Sequence, residues 1–341
     1  MKARILIGCV ALQFLILAVM AGQREWVRHT GRAVYFRTAP VDPRDVMRGD
    51  YVRLSYDISR VPRELWRGPF PAQSTNLAEL PRDTRVYASL HLQEDGVAQL
   101  ASLGLDQPRN GLYIRGRTET SSSEQINVRY GLEALFLEQG KGLELEAERS
   151  RNGIQVPLEV KAAVSPNGIA VLQDHHWCAL GMGLTFEFTN SVAANGQRER
   201  RPVAATVQWL NASSNDVAVV DLPRGRSLAL VTDSTFCENP WRWTPQEQTR
   251  ASLQVTNVIV LKPGQAHSIR VSFDDPRWSV SKTGKPEDAT RLSGLRQEWN
   301  ARFRFEYRPP DRAASEGLPN GNLIWHGHLA SRIFGPTGGT D

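Results

Sequence analysis

Residues 49–58 read Gly49-Asp50-Tyr51-Val52-Arg53-Leu54-Ser55-Tyr56-Asp57-Ile58. Apolar and polar side chains alternate along this stretch, which is the pattern of a half-buried β-strand. Leu54 and Tyr56 share one face, and we expect both to point toward a core. Tyr51 lies on the opposite, polar face. The stretch therefore predicts that the N-terminal half of the chain is built around a β-sheet.

The segment that precedes this strand predicts a turn. Residues 40–48 contain two prolines and two aspartates; proline restricts φ, and aspartate can accept hydrogen bonds from nearby backbone N–H groups. In one interpretation Asp50 caps the turn and Tyr51 packs under a neighbouring loop. In the other, the turn is a recognition site for a partner. The interpretations concern the same residues: Asp42, Arg44, Arg48, Gly49, Asp50 and Tyr51.

Length and composition indicate a folded protein of about two domains. The chain has 341 residues, of which 40% are hydrophobic and 23% are charged. The net charge is +5, because 41 basic residues stand against 36 acidic ones. The two signs are interspersed and form none of the basic blocks that nucleic-acid-binding arms show. Nucleic acid is therefore not an expected partner.

The N-terminus predicts a membrane anchor. Residues 5–22 carry no charge and follow the basic residues Lys2 and Arg4. Eighteen residues form a helix of roughly 27 Å, close to the hydrocarbon thickness of about 30 Å. We predict a signal-anchor transmembrane helix over 5–22, with residues 1–4 as a cytoplasmic tail. The alternative is a cleaved signal peptide, with cleavage near Ala21 and secretion of the rest.

The charges on the two sides of this anchor do not by themselves predict its orientation. Arginines follow the span at Arg24, Arg28, Arg32 and Arg37, and the charge count therefore does not favour export. Long downstream domains nevertheless translocate largely regardless of flanking charge. We expect a single-pass protein with most of its chain outside the cytoplasm.

The rest of the chain predicts a mainly β protein. Residues 33–176 mix strands with short helices and form the expected first domain. Seven alternating stretches between residues 184 and 310 are spaced as in an immunoglobulin-like β-sandwich. Residues 311–341 are rich in glycine and proline and are expected to form a loosely ordered tail.

Cysteine and histidine residues predict little chemistry. Cys178 and Cys237 are the candidates for an extracytoplasmic disulfide, although two buried reduced thiols are the favoured interpretation, since cysteine packs as a small hydrophobe. Adjacent histidines at 175 and 176 would point to opposite faces of a strand, and their spacing from His326 and His328 matches no common zinc signature. No metal site and no cofactor are predicted.

Two blocks of sequence together resemble a known family. The first is Gly49, Asp50, Tyr51, Leu54 and Tyr56; the second is the stretch 128–136, which includes Arg129, Tyr130 and Glu133. Over residues 5 to 175 the chain resembles bacterial membrane-anchored proteins named for the motif GDYxxLxY. The resemblance implies a location in the bacterial inner membrane and a multi-pass membrane protein as partner. It implies no reaction, because the family has no established activity.

Two functions are compatible with these features. We expect a non-catalytic binding or assembly module for a membrane or envelope protein. The alternative is an envelope hydrolase or a small-ligand sensor that uses Arg129, Tyr130 and Glu133 in a cleft of the first domain. Carboxylates converging in a closed cleft would favour the alternative, and an exposed surface would favour a protein partner.

Overall fold

The computed structural model shows a mostly β chain with one long N-terminal helix. It describes residues 2–39, 51–68, 80–121, 125–138, 141, 145, 148, 150–151, 153–192, 198–233, 240–246, 253–295 and 301–338. These residues divide into two compact units. The first unit comprises Met1–Leu92, Gly96–Gly142 and Glu159–His176, and the second comprises Gln93–Asp95, Leu143–Leu158 and Trp177–Asp341.

Helix α1 spans Lys2–Thr30 and contains the uncharged residues 5–22. Its Arg4–Thr30 portion is long and apolar enough to cross a membrane, with a mean hydropathy of 2.5 and no burial inside the protein in its most apolar window. The helix ends at Gly31, whose backbone N–H donates to Val27 O at 2.8 Å. An apolar helix that the protein leaves uncovered is suited to be a membrane anchor.

Three sheets form the first unit, and most of their pairings are antiparallel. The four-stranded sheet has the order β14-β13-β1-β3, a ribbon pairs β10 with β2, and the six-stranded sheet has the order β4-β9-β8-β6-β7-β5. The strands are β1 (Arg32–Ala39), β2 (Tyr51–Arg53), β3 (Ser55–Tyr56), β4 (Arg60–Pro62), β5 (Trp66–Arg67), β6 (Arg85–Leu92), β7 (Ala98–Gly104), β8 (Leu112–Ser121), β9 (Gln125–Arg129), β10 (Ala134–Phe136), β13 (Leu158–Val164) and β14 (Ala170–Trp177).

The motif stretch 51–58 faces the core as its alternation predicts. Leu54, Tyr56 and Ile58 are at most 5% exposed. The stretch is nevertheless not one continuous strand, because β2 pairs with β10 whereas β3 pairs with β1. Alternation sets which side chains point inward, but it does not determine which strand lies alongside.

Four sheets form the second unit. Their orders are β11-β12-β15-β16-β21, β17-β20, β18-β24-β25 and β19-β22-β23. The strands are β11 (Ser150–Arg151), β12 (Ile154–Gln155), β15 (Leu180–Val192), β16 (Arg198–Asn211), β17 (Val217–Val220), β18 (Leu228–Thr232), β19 (Arg242–Trp243), β20 (Val258–Leu261), β21 (Ala266–Ser272), β22 (Ser279–Ser281), β23 (Thr290–Arg291), β24 (Phe303–Tyr307) and β25 (Leu329–Ala330).

Short helical segments lie between the strands, and some of them contribute buried side chains such as Trp278. A single-turn helix spans Arg312–Ser315. The 3₁₀ turns are Asp57–Ser59, Arg63–Leu65, Pro223–Gly225, Val255–Asn257, Pro276–Trp278, Pro286–Asp288, Leu292–Gly294 and Gly321–Leu323.

The core of the second unit is aromatic. Trp209, on the long hairpin β15–β16, is fully buried, and its ring lies 4.8 Å from the ring of Tyr307. Trp278 and Phe305 pack edge to face at 5.2 Å. Strands are present in the region where the sequence predicts them, between residues 184 and 310. Its sandwich topology of the immunoglobulin type stays a prediction.

The expectation of a loosely ordered tail over 311–341 is wrong for its described residues. Strand β25 pairs with β24, and Leu329 and Phe334 are at most 1% exposed. Phe334 exchanges two backbone hydrogen bonds with Phe303, at 2.8 and 2.9 Å. Glycine and proline dominate the composition of this segment, but the two apolar side chains are sufficient to anchor it in the core.

Phe334→Ala should destabilise the protein by about 3–5 kcal/mol, because it opens a cavity in the aromatic core. Urea unfolding of the full chain, followed by tryptophan fluorescence, measures the change. Thr337→Ala, at an exposed position of the same segment, is the matched control and should stay within about 0.5 kcal/mol of the wild type. Equal stability of the Phe334 variant and the wild type would contradict the anchored tail.

Candidate functional site

The structure brings together one part of the predicted site. Leu54 and Tyr56 of the motif lie against the segment that contains Tyr130 and Glu133. Asp42, Arg44, Arg48, Gly49 and Asp50 lie outside the described residues, and so does the side chain of Tyr51. The backbone of Tyr51 begins β2. The geometry of the motif can therefore be stated from Tyr51 onward.

Backbone pairing joins the two blocks of sequence. In the β2–β10 ribbon Tyr51 faces Phe136 and Arg53 faces Ala134. Beyond the ribbon, Leu54 N donates to Glu133 O at 2.7 Å. The two motif blocks are thus neighbours in space although about 80 residues separate them, a distance that a β-pairing bridges readily.

Two buried tyrosines lock this pairing, and we call them the tyrosine clasp. The Tyr56 hydroxyl donates to Leu132 O at 2.6 Å. The Tyr130 hydroxyl donates in the opposite direction, to Ile58 O at 2.8 Å. Burial, reinforced by the nearby Glu133 carboxylate, raises the pKa of both tyrosines far above the ordinary value. Both hydroxyls therefore stay protonated and remain donors.

Glu133 holds the turn that orients Tyr130. Its carboxylate accepts hydrogen bonds from Tyr130 N at 2.5 Å and from Gly131 N at 2.9 Å. Gly131 has a φ of +80°, a conformation that side chains other than glycine rarely adopt. Both carboxylate oxygens are engaged by the backbone of this turn. The contacts of Glu133 are those of a structural residue.

Gly116 allows close packing of β8 against the residues next to the clasp. A side chain at this position of β8 would collide with Val128 and would lie 3.0 Å from both Arg129 O and a ring atom of Tyr130. The neighbouring strand approaches so closely only because residue 116 has no Cβ.

Arg129 does not join Tyr130 and Glu133 in a common cleft. Its guanidinium pairs with Asp83, and both side chains are about half exposed, at 42% and 50%. Such a pair contributes little to stability because water screens it. The three residues that the alternative function requires therefore have separate roles. Tyr130 belongs to the clasp, Glu133 holds the adjacent turn, and Arg129 pairs with Asp83.

The cysteine prediction stays open. Cys178 is buried, and Cys237 lies outside the described residues. Within the part of the chain that the structure describes, no three His, Cys, Asp or Glu side chains are placed so that they could hold a metal ion.

An ionic triad in the four-stranded sheet, with two of its three members buried, was not predicted from the sequence. Arg37 on β1 and Glu159 on β13 are cross-strand partners, and their side chains meet at 2.5 Å between Nη2 and Oε1. Both residues are under 10% exposed. His176 on β14 places its Nε2 3.1 Å from the other oxygen of Glu159. The three charged groups therefore come from three adjacent strands.

The triad perturbs the pKa of two of its members. Burial alone would raise the pKa of Glu159, but the hydrogen bond with His176 and the charge of Arg37 outweigh burial and lower it to about 2. The hydrogen bond with Glu159 raises the pKa of His176 above 6.5, against the smaller opposing effect of burial. Asp174 adds to this rise, and the ring of Tyr35 packs edge to face on the imidazole at 5.2 Å.

An ionic cluster of this kind has only a weak signal in sequence. Arg37 interrupts an apolar strand, and Glu159 does the same on another strand. Buried charges are retained when they are paired, so a charge within an apolar strand indicates that a partner exists. The pairing itself depends on the strand register, which the sequence pattern leaves open.

The fold and these contacts define a class: a β-rich protein with an N-terminal helix able to anchor in a membrane, in which the motif stretch is hydrogen-bonded to the segment around Tyr130 and Glu133. Residues 13–174 match the family described as GDYXXLXY protein. This part of the chain therefore belongs to the GDYXXLXY family, as the resemblance of its motif indicated. Comparisons of the chain with curated proteins and with solved structures find no match. The family match does not extend beyond residue 174.

The clasp predicts a coupling between Tyr56 and Tyr130. Tyr56→Phe and Tyr130→Phe should each lower the free energy of unfolding by about 1–2 kcal/mol, because each leaves a buried carbonyl without its donor. In urea unfolding, the double variant should differ from the sum of the single variants by at least about 0.5 kcal/mol, since both hydroxyls hold the same pair of segments.

Tyr87→Phe serves as the matched control for the clasp variants. The Tyr87 ring is half-buried on β6 and takes part in a ring contact with Tyr113. A loss as large in the control as in the clasp variants would contradict a specific role of the two hydroxyls.

The triad predicts a defined pH dependence. Because the pKa of His176 is raised on folding, its contribution is present below about pH 6.5 and is lost as the pH rises through the folded value. His176→Gln should therefore flatten the fall in stability above pH 6.5. The effect should be at most about 1 kcal/mol, since the side chain is half exposed and water screens its charge.

At acidic pH, the stability of the fold should instead decrease as the pH falls. The lowered pKa of Glu159 stabilises the fold above about pH 4.5, and this stability is lost as the pH falls toward 2. Thermal unfolding measured across the pH range tests the predicted losses of stability at high and at low pH. His175→Gln is the control for the removal of a neighbouring histidine. A His176 variant whose stability profile parallels that of the wild type above pH 6.5 would disprove the assignment.

Proposed function

We propose that this protein is a membrane-anchored, extracytoplasmic module that binds or helps to assemble a membrane or envelope protein, without catalysing a reaction. Helix α1 would insert into the bacterial inner membrane as a single span. The N-terminus would remain in the cytoplasm, and both units would lie outside it. The long domains that follow the span support this orientation, because such domains translocate largely regardless of flanking charge.

One observation carries the choice of binding over chemistry: the candidate reactive groups are used to hold the fold. The Glu133 carboxylate accepts from two backbone N–H groups, and the Tyr130 hydroxyl is buried against Ile58 O. A general acid or nucleophile must be able to reach a substrate. The contacts therefore support a binding module over a hydrolase or a small-ligand sensor at these residues.

The surface next to the clasp supports recognition of a protein. Phe136 is 80% exposed on β10, directly across from Tyr51 of the motif. Arg53 is also largely exposed on the same ribbon, with 67% of its side chain in solvent. Exposed aromatic and arginine side chains are enriched in protein interfaces. A multi-pass membrane protein is the partner that we propose for this ribbon.

In-cell photo-crosslinking tests the proposal. A photoreactive amino acid at Phe136 or Arg53 in the full chain should form an adduct with a multi-pass membrane protein, identified by mass spectrometry. The combined replacement of Asp50 and Tyr51 with alanine should reduce this adduct at least about tenfold, which corresponds to a loss of about 1.4 kcal/mol in binding. The melting temperature of that variant should stay close to the wild-type value.

The controls separate binding from folding and from location. The same photoreactive residue at exposed Glu287 of the second unit should not form the adduct. Identical adducts at both positions, or loss of the adduct only together with loss of stability, would refute recognition by the ribbon. A C-terminal reporter that is active only in the cytoplasm should be silent in the same cells, and its activity would overturn the proposed orientation.

A further inference from the structure

The end of helix α1 carries three exposed arginines. Arg24 and Arg28 are one helical turn apart and lie on the same side of the helix. Arg32 follows immediately after the helix and is also exposed. We call these three residues the arginine collar. Within the part of the chain that the structure describes, no carboxylate forms a salt bridge with the collar, and the one acidic residue of this segment, Glu25, pairs with His29 at 2.8 Å.

The position of the collar follows from the length of the apolar run. If residues 5–22 occupy the hydrocarbon core, Arg24 lies roughly 3 Å beyond its edge and Arg28 roughly 9 Å beyond it. Lipid headgroups occupy about 5–7 Å on each side of the core. Trp26, which is 71% exposed, falls into the same layer, where tryptophan is enriched. The collar thus begins within the headgroup layer and extends just above it.

The junction between the helix and the first unit is rigid. Val27, between the two helical arginines, is only 4% exposed. An added Cβ at Gly31 would lie 2.6 Å from Val27 O and 2.9 Å from Ala163 Cβ on β13. Gln173 on β14 donates to Arg28 O at 2.5 Å. Since a single residue connects α1 to β1, the sheet holds the collar at a constant height above the membrane.

We propose that the arginine collar binds the headgroups of anionic phospholipids and thereby seats the first unit on the membrane surface. The charge is complementary, because three arginines stand against one glutamate in residues 23–32. Anionic headgroups attract basic side chains within about a Debye length of the surface. This role also accounts for arginines on the side of the span where the proposed orientation does not favour them.

The inference rests on insertion of α1 into a bilayer, which is part of the proposed function. Its test uses the full chain in lipid nanodiscs made of phosphatidylcholine alone or of phosphatidylcholine mixed with phosphatidylglycerol. Co-elution of the protein with the discs reports insertion by itself. Failure of insertion would therefore be distinguishable from failure of headgroup binding.

Amide hydrogen exchange of residues 23–39 is the readout. In discs that contain phosphatidylglycerol, exchange in this segment should slow at least about fivefold relative to phosphatidylcholine discs, the factor expected for one arginine near an anionic surface. The difference should disappear at about 1 M salt, where the Debye length is only about 3 Å. This salt dependence requires no variant and remains informative if a variant folds poorly.

The combined variant R24Q/R28Q/R32Q should lose the slowing in anionic discs while it exchanges like the wild type in phosphatidylcholine discs. The control K262Q/K285Q/R291Q removes the same charge from exposed positions of the second unit and should retain the slowing. Equal exchange of the wild type in both kinds of disc would overturn the proposal. The proposal would also be overturned if the collar variant retained the slowing, or if the control variant lost it to the same degree.

Discussion

The first unit depends on hydrogen bonds between two segments that are far apart in sequence. Leu54 N and the Tyr56 hydroxyl donate to the segment around Glu133, and the Tyr130 hydroxyl donates back to Ile58 O. Each donor and acceptor would be costly to bury alone, so each segment supplies what the other requires. The clasp therefore explains why the motif and the second block occur together in one chain.

The clasp also divides the motif by role. Its later residues, Leu54 and Tyr56, are buried and serve the fold. The paired ribbon that starts at Tyr51 instead presents an exposed surface with Arg53 and Phe136. One segment can contribute side chains both to the core and to an exposed surface, because alternate side chains of a strand face opposite directions. The structural and binding interpretations of the motif are therefore compatible.

Local patterns predicted the elements better than their arrangement. Leu54 and Tyr56 point inward as the alternation predicts, because half-buried strands display their inward face in sequence. The expectation for the tail was wrong because composition describes average polarity, whereas individual buried side chains such as Leu329 and Phe334 hold this segment in the core. The Arg37–Glu159–His176 triad escaped prediction because its members come from three strands whose order is a property of the whole sheet.

The sequence by itself determined the apolar span, the inward direction of Leu54 and Tyr56, the β-rich class and the family of residues 13–174. These features are local, since hydropathy, alternation and motif spacing are read along the chain. The tertiary structure decided that Glu133 supports a turn, that Tyr130 completes a clasp, and that the helix continues into the sheet through Gly31. The physical reason is that hydrogen-bond partners and close approaches depend on strand register and packing, which no local pattern encodes.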